Sequence, residues 1–225
     1  MKKLILAFFL AAFGLSSFAQ HQTPVDYKTI EKNVNDPSSE LYYPKLLERY
    51  NNGDSTFTRE EKRNLYYGYV FQPTYSAMDT SRYNQRLMTT LSKGSLTPAD
   101  YGSVLADADA LLKEDPFNIR AMNAKLLVYA QQDNVPGYKK VIQQRKNMLE
   151  AVLSSGDGIE KKTAFYVIKV AHEYDLLGLF GYKFGGSDKV IDHYNYLKLA
   201  ENRFGIDGLY FDISPVLRYM SEHSR

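Results

Sequence analysis

The sequence predicts an α+β protein: N-terminal helical hairpins, partly tetratricopeptide-like, followed by a small antiparallel β-sheet. Three observations lead there. Helix start signals recur through the first two thirds, each ahead of apolar residues at helical spacing: Thr58-Arg59-Glu60-Glu61, Thr97-Pro98-Ala99-Asp100 and Asn118. The stretch Ser154-Ser155-Gly156-Asp157-Gly158 then breaks the pattern. Beyond it the apolar period becomes two, as in AFYVIKV from Ala164 to Val170. The expected organisation is a leader at 1–19, a helical region at 20–158 and a β-rich region at 159–225, the last two packed as one unit.

Taken in order, Thr23-Pro24 offers an N-cap with proline at the first helical position and opens a segment through Val34. Ser39 to Tyr50 carries Leu46, Leu47 and Tyr50 on one face, and Pro44 sets the start of its regular part near Tyr43. The capping box at Thr58 opens a helix that runs through LYYGYVFQPTY and ends before Pro73. Asp79 to Lys93 is a more polar helix with Gly94 beyond its end. Further helices are expected from Thr97 to Lys113, Asn118 to Gln132 and Asn134 to Ser155, with Asp115-Pro116 as a breaker. In AFYVIKV, Tyr166, Ile168 and Val170 face one way and Phe165 and Val167 the other, which reads as a strand covered on both sides. Asp175 to Phe184 reads as its return strand, broken by Gly178 and Gly181, and Gly185-Gly186-Ser187-Asp188 as a turn. His193 to Ala200 and Gly208 to Ser214 are two further strands, and Ser214-Pro215 caps a closing helix.

The leader is Lys2-Lys3, an apolar run from Leu4 to Leu15, and Ser17-Phe18-Ala19 with small residues at the −3 and −1 positions of a cleavage site. It predicts export and cleavage after Ala19, hence a periplasmic or secreted protein. The apolar run is shorter than the ~20 residues a membrane-spanning helix needs, so no span is expected after cleavage. The sequence has no cysteine, which excludes a lipobox anchor, a disulfide scaffold and any thiol nucleophile or thiolate metal ligand. Losing two lysines with the leader leaves 26 basic against 26 acidic residues, a balance that does not suit nucleic acid.

Candidate chemistry is sparse. His172, Asp175, Asp192 and His193 have the ligand types of a zinc or acid–base site, but HEYD is not the His-Glu-x-x-His helix motif. There is no Gly-x-Ser-x-Gly elbow and no phosphate-binding glycine loop. No catalytic residue, metal or cofactor is therefore assigned, and a hydrolase using His172, Asp175 and His193 stays the enzymatic alternative. The tyrosines stand out, 19 of them with no tryptophan. Tyr66, Tyr67, Tyr69, Phe71 and Tyr75 form the candidate binding surface, suited to another envelope protein or to a glycan. On a helical wheel Leu65, Tyr66, Tyr69 and Val70 cover one face and Tyr67 and Phe71 the other. A helix apolar on both faces is normally buried, so core packing competes with the surface reading. Gly68 between the rings permits close approach of another backbone.

ALLKEDPFNIRAMNAKLLVYAQQDN, within residues 100–150, resembles a tetratricopeptide repeat junction. With Pro116 as the closing proline of one repeat, Tyr129 falls on the tyrosine position of the next. Met122, Leu126, Tyr138 and Arg145 depart from that signature. LYYPKLLERY, LYYGYVFQPTYS and GLYFDIS make residues 25–215 similar to the secreted bacterial family called domain of unknown function 4919, and the leader ending FAQ is similar to those of Bacteroidetes exports. The resemblance implies export and helices with a C-terminal sheet. It brings no catalytic residues. The expected role is a non-enzymatic protein-interaction or scaffolding module of the cell envelope. Neither the partner nor the oligomeric state is legible in the sequence.

Overall fold

A computed structural model describes residues 22–78 and 81–223. The leader and its cleavage site lie outside the described residues. The helical part contains α1 (Tyr27–Asn35), α2 (Tyr43–Asn51), α3 (Arg59–Gly68, continued by a 3₁₀ turn at Tyr69–Phe71), α4 (Arg82–Leu91), α5 (Pro98–Glu114), α6 (Ile119–Gln131) and α7 (Val135–Leu153). Side-chain caps fix most of these starts. Thr58 Oγ1 accepts from Glu61 N while Glu61 Oε2 accepts from Thr58 N, and Asp100 closes the same box on Thr97. Asn118 and Asn134 cap α6 and α7 through the amides of Ala121 and Gly137.

Two helix starts differ from expectation. Helix α1 begins at Tyr27 because Asp26 caps it through Thr29 N. Thr23 and Pro24 instead form a strap, in which Thr23 N donates to Ser154 O and both carbonyls accept from Arg63. Helix α4 is capped by Ser81, whose hydroxyl accepts from Tyr83 N. Asp79, the expected start, lies outside the described residues. Helices α4 to α7 each pack on the next, and α3 packs against α1, α2 and α7.

After α7 come β1 (Phe165–Tyr166), α8 (Val170–Leu179), β2 (Phe184–Ile191), β3 (Tyr194–Leu199), β4 (Gly208–Asp212) and α9 (Ser214–His223). The expectation of strands from Ala164 to Val170 and from Asp175 to Phe184 is corrected here. Of the first only Phe165 and Tyr166 are strand; of the second Asp175 to Leu179 belong to helix α8, and strand begins only at Phe184. Gly181, with φ +79°, is the left-handed residue just beyond that helix. Gly181 N donates to Gly178 O and Tyr182 N to Leu177 O, the paired bonds of a Schellman stop. Gly185 and Gly186 lie inside β2, where the register shifts between Phe184 and Asp188, so they mark a bulge instead of a turn.

The sheet order is β1-β4-β3-β2. Strand β3 runs antiparallel to both neighbours, but β1 pairs parallel to β4 through Phe165↔Phe211 and Tyr166↔Asp212, so the sheet is mixed and not antiparallel. One buried cluster runs from Ile30 and Val34 through the tyrosine block to Phe165, Leu197, Phe211 and Val216. A smaller one, with Leu87, Val104 and Val128, lies between α4, α5 and α6.

Candidate functional site

The tyrosine block is core. Tyr66 and Tyr67 are fully enclosed and Tyr69 nearly so, while Phe71 and Tyr75 are half-buried. For those first three the expected binding surface does not exist. Phe117, from the turn between α5 and α6, explains why: the rings of Tyr50, Tyr66 and Tyr69 gather around it at centroid distances of 5.3 to 5.6 Å. The phenol tips then reach carbonyls of distant segments. Tyr67 donates to Ala151 O (3.2 Å) and Tyr166 O (3.4 Å), Tyr69 to Glu114 O (2.6 Å), and Tyr75 to Ile168 O (2.7 Å). Burial raises the pKa of Tyr66, Tyr67, Tyr69 and Tyr75 above the usual value, keeping the phenols neutral.

The histidine and carboxylate candidates go to separate partners. His172 is buried on α8, with Nδ1 2.8 Å from the Tyr66 hydroxyl. Asp175 pairs with Arg120 of α6 at 3.2 Å. Asp192, in the tight turn between β2 and β3, lies 3.4 Å from Lys161. His193 Nε2 is 3.5 Å from Asp212, which also caps α9 through Ser214 N. Among the described residues no three His, Asp or Glu side chains are placed to hold one metal ion.

Next to His172, Glu173 is fully buried and accepts from Asn195 Nδ2 of β3 at 2.7 Å. Its other oxygen and Asn195 Oδ1 are both buried without a partner. Burial, with Asp188 adding like charge, pushes the Glu173 carboxyl up to about 8 against the lowering effect of Asn195. This acid faces the protein interior.

The feature that sequence reasoning missed is a groove of about 300 Å³ where the end of α7, the end of α8 and the β3–β4 loop converge. Its floor is Phe165 and Leu209, both buried, and Phe180 and Tyr182 form a wall. Its rim is exposed: Leu153 and Ile159 at 45 % and Phe204 at 58 %. Two side-chain-locked loops hold that rim. Asn202 donates to Ala200 O and Ile206 O and accepts from Phe204 N and Ile206 N, so one amide staples the loop that presents Phe204. Asp157 Oδ1 accepts from Ile159 N and Thr163 Oγ1 and orders the other loop. Gly158 (φ +75°) brings that loop down onto the floor, where a Cβ would meet the Phe165 ring at 2.6 Å. Asn202-Arg203-Phe204-Gly205, an aromatic in a polar glycine loop, was the available sequence signal.

The fixed apolar rim can take up an apolar side chain of a partner; it offers little to a sugar, whose many hydroxyls need more polar partners than Asp157 and Tyr182 supply. No curated protein and no solved structure matches the chain. Residues 28–222 match the family model described as Domain of unknown function (DUF4919), and the chain belongs to that family.

Proposed function

We propose that the chain is an exported, non-enzymatic interaction module of the cell envelope, and that the groove rimmed by Leu153, Ile159 and Phe204 is where it holds its partner. The observation that carries this reading is Phe204: a large ring left mostly in water on a loop whose conformation Asn202 fixes beforehand. Exposing such a ring opposes solubility, and rigidity before binding lowers the ordering cost of association. The succession of α4 to α7 supports a scaffolding role of the repeat-like kind, and the leader at residues 1–19 supports export. The surface first expected on the Tyr67 and Phe71 side moves to the groove, because Tyr67 is internal.

A photoreactive phenylalanine analogue at position 204, expressed in an exporting host, tests the reading, with the same group at Thr89 on exposed α4 as control. An adduct of discrete mass is expected from 204 alone, lost when Ile159→Lys places a charge on the rim. Equal labelling at both positions would end the proposal. N-terminal sequencing of the exported product is expected to begin at Gln20; an intact Met1 would remove the export part.

A further inference from the structure

We propose that the partner in this groove is a second copy of the chain, joined about a two-fold axis with each Phe204 seated in the other's groove. The inference rests on the reading of the groove as an interaction site and names its occupant.

The groove specifies an unusual combination. Its floor and walls call for a ring-sized apolar group, yet its lining includes one acid, Asp157, which is exposed. Oδ1 of that carboxylate accepts from Ile159 N and Thr163 Oγ1, and among the described residues Oδ2 has no hydrogen-bond partner. A fitting occupant pairs an aromatic ring with a cation. The chain displays such a pair on the same rim: the Arg203 guanidinium lies 4.7 Å over the Phe204 ring. Both side chains are exposed, and Arg203 makes no ion pair among the described residues.

Placement decides between closed and open assembly. Knob and hole share one face, since Phe204 is itself part of the groove's lining. A two-fold rotation about an axis through that face therefore carries each Phe204 to the other's hole and each Arg203 to the other's Asp157, an isologous contact that closes at two copies. A knob and hole on opposite faces would instead build filaments. The groove is lined by nine residues, few beside the roughly 20–30 a side of stable complexes, so the dimer is weak, with a Kd on the order of micromolar to tens of micromolar.

Sedimentation equilibrium of the processed chain, from about 1 to 500 µM, reads this directly through the mass of a monomer passing to twice that value. Phe204→Ala is expected to weaken association at least about tenfold, with the circular dichroism spectrum unchanged because the ring is exposed. Asp157→Asn keeps the Oδ1 bonds of its loop and removes only the charge. It and Arg203→Ala are each expected to weaken association about three- to fivefold, and the double variant no further than either. A monomer across the whole range, or additive losses in the double variant, overturns the proposal. A monomer that still gives a discrete adduct with a different protein at position 204 overturns the second copy and leaves the interaction reading standing. Failure of both experiments removes both.

Discussion

Glu173 shows how much one enclosed side chain can impose on a fold. Its carboxyl is fully buried, receives one amide proton from Asn195, and has no ion-pair partner among the described residues, so the neutral acid is the form the interior tolerates. Its pKa moves from the ordinary 4.5 up to about 8. Below about pH 4.5 folded and unfolded chains both carry the proton. Between there and about pH 8 only the folded chain keeps it, so stability is full in acid, falls as pH rises, and levels off above 8, by up to roughly 5 kcal/mol. Glu173→Gln preserves the acceptor for Asn195 Nδ2 and adds a donor for its unpartnered Oδ1. Urea unfolding at pH 5 and pH 9 is expected to show that variant near wild type in acid and several kcal/mol more stable in base. A parallel pH dependence in both proteins would mean that Glu173 ionises normally. Tyr67→Phe, by contrast, deletes only a donor to the carbonyls of Ala151 and Tyr166. It is expected to cost about 1–2 kcal/mol at every pH below the phenol's range, read from the same urea midpoints. A midpoint unchanged from wild type would show that the phenol is not the tie between α7 and β1.

Elements meet where small residues let them. Gly68, at the end of α3, faces α1: a Cβ there would fall 2.6 Å from Val34 Cγ1. The close approach that the glycine suggested is thus to a valine side chain on the first helix, more than to a backbone. Gly68→Ala is expected to destabilise by about 1–3 kcal/mol through overpacking, and Val34→Ala by a similar amount through the lost contacts. Because each change relieves the other, the double variant should be more stable than the sum of the single losses implies; simple additivity in thermal unfolding would show that α1 shifts freely to accommodate the methyl group. The helical half was legible because its starts are local chemistry: Thr58, Thr97, Asn118 and Asn134 bond within three residues of themselves. The second half was not, for equally local reasons. Val167 to Lys169 are buried whatever their period, so alternation from Ala164 to Val170 could not tell a two-residue strand from the approach to a helix. The Schellman stop at Gly181 looked like a strand break, and the bulge at Gly186 like a turn. The groove as a whole escaped, since its lining runs from Leu153 to Leu209, 56 residues apart. Only its Phe204 loop is visible as sequence.

At the scale of the whole molecule, the tyrosines and the ion pairs Arg120–Asp175 and Lys169–Asp115 tie the two halves together. Tyr66, Tyr67 and Tyr75 stand in the helical half, yet they reach His172, Tyr166 O and Ile168 O beyond the glycine break. Lys169, buried just ahead of α8, meets Asp115 at 2.8 Å in the turn between α5 and α6. Asp115 also accepts from Phe117 N and Asn118 Nδ2, so the pair is anchored where Phe117 enters the tyrosine cluster. Removing one member of such a pair leaves a charge in a site built for two. Lys169→Met is accordingly expected to cost about 3–5 kcal/mol, and adding Asp115→Asn to restore part of it. Because these ties cross from one half to the other, neither half has a complete interior of its own. A chain ending at Gly158 would bare the rings of Tyr66 and Tyr67, take His172 from the Tyr66 hydroxyl and leave the Tyr67 hydroxyl with Ala151 O alone, so it is expected to lose its near-ultraviolet circular dichroism while keeping helical signal in the far ultraviolet. In the full chain, near- and far-ultraviolet signals should fall together at one urea midpoint, as one cooperative unit requires. If the fragment ending at Gly158 unfolded cooperatively with a near-ultraviolet spectrum like that of the full chain, the tyrosine block would be the core of a separate helical domain, and its phenols would not be what binds the sheet to it.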